Sequence, residues 1–223
     1  MAAPRAGPGA RLLQRLSRSF YDVEAALGWA ERLRRARLQR LNANQVYLRD
    51  TYGPDVAAAA FTLSLGGGVR YEGQQRWLRP EGRWHPRVLQ LRGVPVLGLD
   101  LSGCPVTYSG LENLLPLARL QELALCGCAH VDDWAVARLR ALAASLRALS
   151  LARCPRVTER GLATLHHFRE LRYLDVSGLT VPSPGLVRIL LEEMLPRCHI
   201  VGMELEHHPP HHADNMDGSG PPY

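Results

Sequence analysis

The sequence predicts an α/β protein in which short strands and helices alternate along a stacked array. Three observations carry that prediction: an aliphatic spacing that returns four times, a helix-capping residue soon after each set, and a helical apolar pattern after each cap. Val96, Leu99, Leu101 and Cys104 form the first set, and Leu120, Leu123, Leu125 and Cys128 the second. Leu146, Leu149, Leu151 and Cys154, then Leu171, Leu174, Val176 and Leu179, complete the series. The closing residues are 24, 26 and 25 apart, inside the period of leucine-rich repeats. One such unit cannot cover its own apolar face, so neighbours must stack. The expectation is a short leucine-rich-repeat solenoid of about four repeats, of the cysteine-containing type, behind an N-terminal helix-plus-hairpin cap.

The helical half of each repeat keeps the same register. Thr107, Asp132, Thr158 and Ser183 follow the closing positions by three or four residues, and their side-chain oxygens suit the exposed amides of a helix start. Pro184 occupies a first helical position, where its missing N–H is not needed. Leu111 and Leu114, Val136 and Leu139, Leu162 and Leu165, and Leu186 and Leu190 then supply apolar residues at helical spacing.

Ahead of the array, residues 1–19 carry Arg5, Arg11, Arg15 and Arg18, no acid, and leucines between the arginines. That composition describes a mitochondrial presequence, with a disordered basic arm as the alternative. Residues 20–92 form the capping domain. A helix is expected from Tyr21 to about Leu41, acidic at its start and carrying Arg32, Arg34, Arg35, Arg37 and Arg40 towards its end, as the helix dipole favours. These arginines suit acidic lipid headgroups or an acidic subunit surface, against the alternative of a solvated face. Thr51 to Pro54 reads as a turn. Phe61, Leu63 and Leu65 alternate up to Gly66-Gly67-Gly68, and Val69 and Tyr71 resume the alternation, which predicts a hairpin. A phosphate loop is set aside because the G-K-[ST] ending is missing.

Residues 93–203 hold the array, with Leu195, Ile200 and Val201 supplying a closing helix end and strand. Residues 204–223 are rich in His, Pro, Gly and Asp without periodicity, and read as a disordered tail.

Composition narrows the function. No 18-residue apolar run predicts a membrane span. All 27 basic residues are arginine, so no lysine is present to act as a Schiff base, a general base or a phosphate-loop residue. The net charge of +6 divides unevenly: residues 1–92 carry 16 Arg against 7 acids, and residues 93–223 carry 11 against 14. Cys104, Cys128 and Cys154 share one repeat position and read as stacked buried thiols. Cys126 and Cys128 stand on a strand that sends them to different environments, which argues against a metal pair. Asp132 and Asp133 have the look of an acid-base pair, but a helix cap is the better account of Asp132. No catalytic, cofactor or metal site is expected, and neither a nucleic acid nor a small-molecule substrate.

What remains is a binding surface. Strand alternation turns Asp100, Ser102, Glu122, Cys126, Ser150, Tyr173, Asp175 and Ser177 towards the concave face of the array. Glu122, Tyr173 and Asp175 are the leading contacts, the carboxylates suited to a basic partner loop.

Five stretches add a resemblance. Tyr21-Asp22-Val23-Glu24-Ala25, Thr51-Tyr52-Gly53-Pro54, His130-Val131-Asp132-Asp133-Trp134, Glu159-Arg160-Gly161-Leu162 and Glu192-Glu193-Met194-Leu195-Pro196 resemble, in collinear order over about Phe20 to Gly202, the mitochondrial ATP synthase subunit s family. The resemblance implies a non-enzymatic mitochondrial assembly factor for the distal membrane arm of respiratory complex I, on the matrix side of the inner membrane. Its partners would be membrane-arm subunits or assembly intermediates. Association with ATP synthase, as for coupling factor B, is the alternative the same family implies. The repeat type is also similar to that of F-box proteins, but the chain shows no F-box segment, which disfavours a ubiquitin-ligase adaptor.

Overall fold

The computed structural model describes residues 23–80 and 86–203. The presequence and tail expectations lie outside those residues. The chain is mixed α/β, with helices at the N-terminal end and one six-stranded sheet in sequence order.

Helix α1 (Val23–Leu41) is followed by α2 (Val46–Tyr52) and α3 (Pro54–Ser64). The expected turn at Thr51–Pro54 shrinks to Gly53, whose φ of +94° sets the corner between α2 and α3. Pro54 opens α3, where its ring is pre-organised for a first helical turn.

The expected hairpin does not form. Phe61, Leu63 and Leu65 do not lie on a strand, because α3 runs through Ser64. Val56 to Leu63 are all buried in this helix, and a helix buried on every side shows no periodicity by which to tell it from a strand. The four alanines at 57–60 tip the local preference towards helix. Gly66, at φ +92°, ends the helix instead of bending a hairpin. Gly67 follows under close contact, since a Cβ there would lie 2.5 Å from the Asp100 carbonyl oxygen.

Strand β1 (Gly68–Tyr71) pairs antiparallel with β2 (Val96–Asp100), so the hairpin partner lies beyond the tryptophan-bearing segment. On the outer edge of β1, Val69 bridges Leu78. From β2 onward the sheet is parallel through β3 (Glu122–Ala124), β4 (Ala148–Ser150), β5 (Tyr173–Asp175) and β6 (His199–Val201). Leu99, Leu123, Leu149, Leu174 and Ile200 stand opposite one another across the parallel strands and are buried. Burial of a Leu or Ile side chain contributes roughly 1.5–3 kcal/mol.

Short helical segments connect the parallel strands. Between β2 and β3 there is only a 3-10 turn, Gly110–Asn113, where the pattern predicted a helix. Pro105 and Pro116 border that stretch, and prolines disfavour helix in the residues before them. Helix α4 (Asp133–Arg138) links β3 to β4, α5 (Glu159–Ala163) links β4 to β5, and α6 (Pro184–Met194) links β5 to β6. Two expected caps form: Ala135 N–H donates to Asp132 Oδ1 at 2.9 Å and Arg160 N–H to Thr158 Oγ1 at 3.3 Å. Thr107 Oγ1 accepts from Gly110 N–H at 3.4 Å, but the 3-10 turn there starts after Ser109, so Thr107 is not its cap. Ser183 precedes α6 but makes no capping bond.

The apolar register of α6 is also corrected. Val187 and Leu191 are its buried residues, whereas Leu186 is 70% and Leu190 40% exposed. An outer face of that kind is left bare because no described helix packs on the far side of α6.

Candidate protein-binding surfaces

The residues flanking the buried row emerge on the other face of the sheet. One row runs Gly98, Glu122, Ala148, Tyr173, His199, and the next runs Asp100, Ala124, Ser150, Asp175, Val201. Ser102, Cys126, Ala152 and Ser177 follow just beyond, joined between units by hydrogen bonds such as Gly103 N–H to Cys126 O at 2.7 Å. The eight residues read from the sequence therefore fall in neighbouring rows of one surface. Their availability differs.

At the β1 end of this face the carboxylates are already engaged. Arg70 pairs with Glu122, and Arg79 reaches Asp100 at 2.5 Å. The Trp77 ring lies 5.2 Å from the Arg70 guanidinium carbon and packs so near Gly98 that a Cβ there would sit 2.9 Å from it. Burial works to raise the Asp100 pKa, but hydrogen bonds from Ser102 and Arg79 outweigh it and hold the carboxyl below its usual range. Glu122, expected to face a basic partner loop, already has a base that β1 supplies from within. Arg70 lies 52 residues from Glu122, and no local pattern links them.

The β5 end is open. Tyr173 is exposed with the His199 ring 6.0 Å away, a neighbour that sequence reasoning missed. Asp175 accepts from Ser150 Oγ at 3.2 Å and from Ser177 N–H at 3.1 Å, and no cation pairs with it among the described residues. Tyr173 is thus exposed and Asp175 lacks a cationic partner among the described residues.

The cysteines divide as the strand geometry requires. Cys126 is half-exposed, whereas Cys104, Cys128 and Cys154 are buried. Cys128 Sγ lies 3.1 Å from Leu101 O and Cys154 Sγ 3.0 Å from Leu125 O, so each thiol donates to the carbonyl of the preceding unit. Burial pushes the Cys128 thiol up to about 12 and raises those of Cys104 and Cys154. These thiols stay protonated and unreactive at neutral pH. Among the described residues, no cluster of three or more His, Cys, Asp or Glu is placed to hold a metal ion.

Arg32, Arg34, Arg35, Arg37 and Arg40 are all exposed on α1. Arg35 pairs with Glu31 at 2.6 Å, and the five are distributed around the helix rather than along one stripe. No described helix is long and apolar enough to cross a membrane.

No family model matches the chain. Bovine mitochondrial ATP synthase subunit s is 33% identical over 135 residues, covering 59% of this chain and 66% of that protein. The chain is similar to the ATP synthase subunit s family. The human protein of the same name is 29% identical over the same length. A Drosophila melanogaster family relative, distal membrane arm assembly component 2, is 30% identical over 165 residues, covering 70% of this chain and 56% of that protein. The chain thus spans just under two thirds of the length of the subunit s relatives and a little over half that of the fly protein.

Proposed function

We propose that this protein is a non-enzymatic mitochondrial assembly factor, acting as a protein-binding scaffold for the distal membrane arm of respiratory complex I. The observation that carries the reading is the match to distal membrane arm assembly component 2 through 70% of the chain. The parallel strands and the inter-unit thiol bonds support reading residues 93–203 as a cysteine-containing leucine-rich-repeat solenoid. Residues 20–92 then close its first edge, and residues 1–19 direct the chain to the matrix side of the inner membrane. A rigid stack of this kind offers a surface that does not reorganise on binding, which lowers the entropic cost of holding an incomplete module in one orientation. Tyr173 and Asp175 lead the recognition row, with Ser150, Ser177 and Cys126 beside them.

Deleting the protein tests this reading. The expected result on native gels is a complex I subassembly lacking its distal membrane-arm module, beside intact ATP synthase. A second reading, attachment to ATP synthase, is favoured by the name that the bovine and human relatives share. Intact complex I with defective ATP synthase would establish that second reading. Replacing both Tyr173 and Asp175 with Ala then tests the recognition row: the folded variant should lose recovery of assembly intermediates.

A further inference from the structure

Helix α1 and the array line a cleft of about 750 Å³. Leu38, Leu41 and Pro105 give it an apolar lining. Arg34 and Arg37 enter from α1, while His130 and Arg156 enter from the array. Pro105, His130 and Arg156 each precede a buried valine, Val106, Val131 and Val157, just after the closing cysteine of successive units. The cleft therefore runs along one edge of three consecutive units, with α1 as its other wall.

Its charge is one-sided. Glu31, also in the lining, is paired with Arg35. Arg34, Arg37 and Arg156 have no carboxylate within ion-pair distance among the described residues, and all three are exposed. Three guanidiniums without a carboxylate partner among the described residues line the cleft from two separate elements, and an anionic occupant would complement that charge. The apolar lining asks that the same occupant carry apolar side chains.

We infer that this cleft is a docking groove for an acidic, amphipathic segment of a partner protein. The concave form favours an inserted peptide over a lipid bilayer, whose flat surface reaches the rim arginines but not Pro105, Leu38 and Leu41 between the walls. Helix α1 fits the role of a fixed wall because Asn42, just after its end, is buried and bonds to both Pro105 O, at 2.8 Å, and Thr107 N–H, at 2.8 Å. The groove rests only on the protein-binding part of the proposed function and not on which respiratory complex is served.

The test uses the purified full chain and a displayed pool of random 16-residue peptides. Selected sequences should be enriched in Asp and Glu interspersed with Leu, Phe or Ile. Their affinity, read by fluorescence anisotropy, should fall about tenfold or more in the Arg37→Glu/Arg156→Glu variant. An Arg140→Glu/Arg169→Glu variant, with the same change in net charge on exposed residues that do not line the cleft, should bind as the parent does. Absence of acidic enrichment, binding that survives the cleft reversal, or equal losses in both variants would overturn the groove. Vesicles of phosphatidylcholine with cardiolipin that displace the peptides through Arg37 and Arg156 would overturn it in favour of a lipid site. None of these outcomes depends on the gel phenotype of a deletion.

Discussion

Asp133 reaches out of its own helix to hold the cap of the next one: its Oδ1 accepts from Thr158 N–H and its Oδ2 from Thr158 Oγ1, each at 2.7 Å. Asp132 beside it caps α4 itself. Two adjacent aspartates thus divide one task, the first closing its own helix and the second fixing where the following unit begins. The same contact explains Gly161, where a Cβ would fall 2.5 Å from Asp133 Oδ1 and 3.1 Å from its Cα.

Asp133→Ala should therefore destabilise the fold by about 1–3 kcal/mol, since it strands a donor pair. Gly161→Ala should cost a similar amount through overpacking. Because the alanine methyl group collides with the carboxylate, the double variant should lose less than the sum of the two. Denaturant titration of the four proteins measures the coupling, and strict additivity would show that α4 and α5 do not meet in this way.

The thiol ladder sets a second expectation. With Cys128 pushed up to about 12 and donating to Leu101 O, almost no thiolate exists near pH 8. A chromogenic disulfide reagent at that pH should react with half-exposed Cys126 well before Cys128 or Cys154. The buried thiols should appear only as guanidinium unfolds the chain. Reaction of Cys128 as fast as Cys126 would mean the interior of the stack is open to solvent.

The strand anchors were legible because burial imposes one residue type at a fixed interval, and Leu99, Leu123, Leu149 and Leu174 all fell inside as the interval required. The caps were legible for the same reason, short-range chemistry between neighbours in sequence. What escaped was decided at long range. The strand reading of 61–65 failed because contacts with distant residues bury α3 on every side and leave it no polar face. Glu122 looked available until β1, far upstream, delivered Arg70. The α1 arginines were visible as a run, but only the fold brings His130 and Arg156 opposite Arg34 and Arg37. Leu186 and Leu190 had the right spacing on the wrong face, since Val187 and Leu191 satisfy the same period.

Two buried asparagines join the N-terminal helices to the array, and neither announces itself in sequence. Asn42 donates to Leu38 O and Pro105 O and accepts from Thr107 N–H, while Asn113 accepts from Gln45 N–H at 2.7 Å and donates to Gly110 O at 3.1 Å. Asn42→Leu keeps much of the volume and removes the bonds, so it separates packing from polar satisfaction. It should cost about 1–3 kcal/mol and raise amide exchange across residues 38–45 ahead of the rest of the chain. Unchanged exchange there would mean that α1 is held by something other than this clamp.

Arg153 breaks a pattern of left-handed glycines. Just before the closing position, Gly103, Gly127 and Gly178 each adopt φ of +68°, whereas the third unit places Arg153 there at +55°. A left-handed backbone costs a non-glycine residue roughly 1–2 kcal/mol, and glycine's greater freedom in the unfolded chain offsets about 0.5–1 kcal/mol of any gain. Arg153→Gly should thus be neutral or stabilising, by up to about 1.5 kcal/mol on these two figures. One contact opposes it, because the Arg153 stem packs where a Cβ on Gly178 would lie 3.1 Å from Arg153 Cγ. The mirror change is cleaner: nothing lies within 4 Å of a Cβ built on Gly127, so Gly127→Ala reports the backbone alone and should lose about 1 kcal/mol. Thermal unfolding of the two variants decides. A marked loss in Arg153→Gly would mean that the arginine is held there by a contact worth more than its backbone strain, and a neutral Gly127→Ala would mean that the left-handed turn is not required at this position.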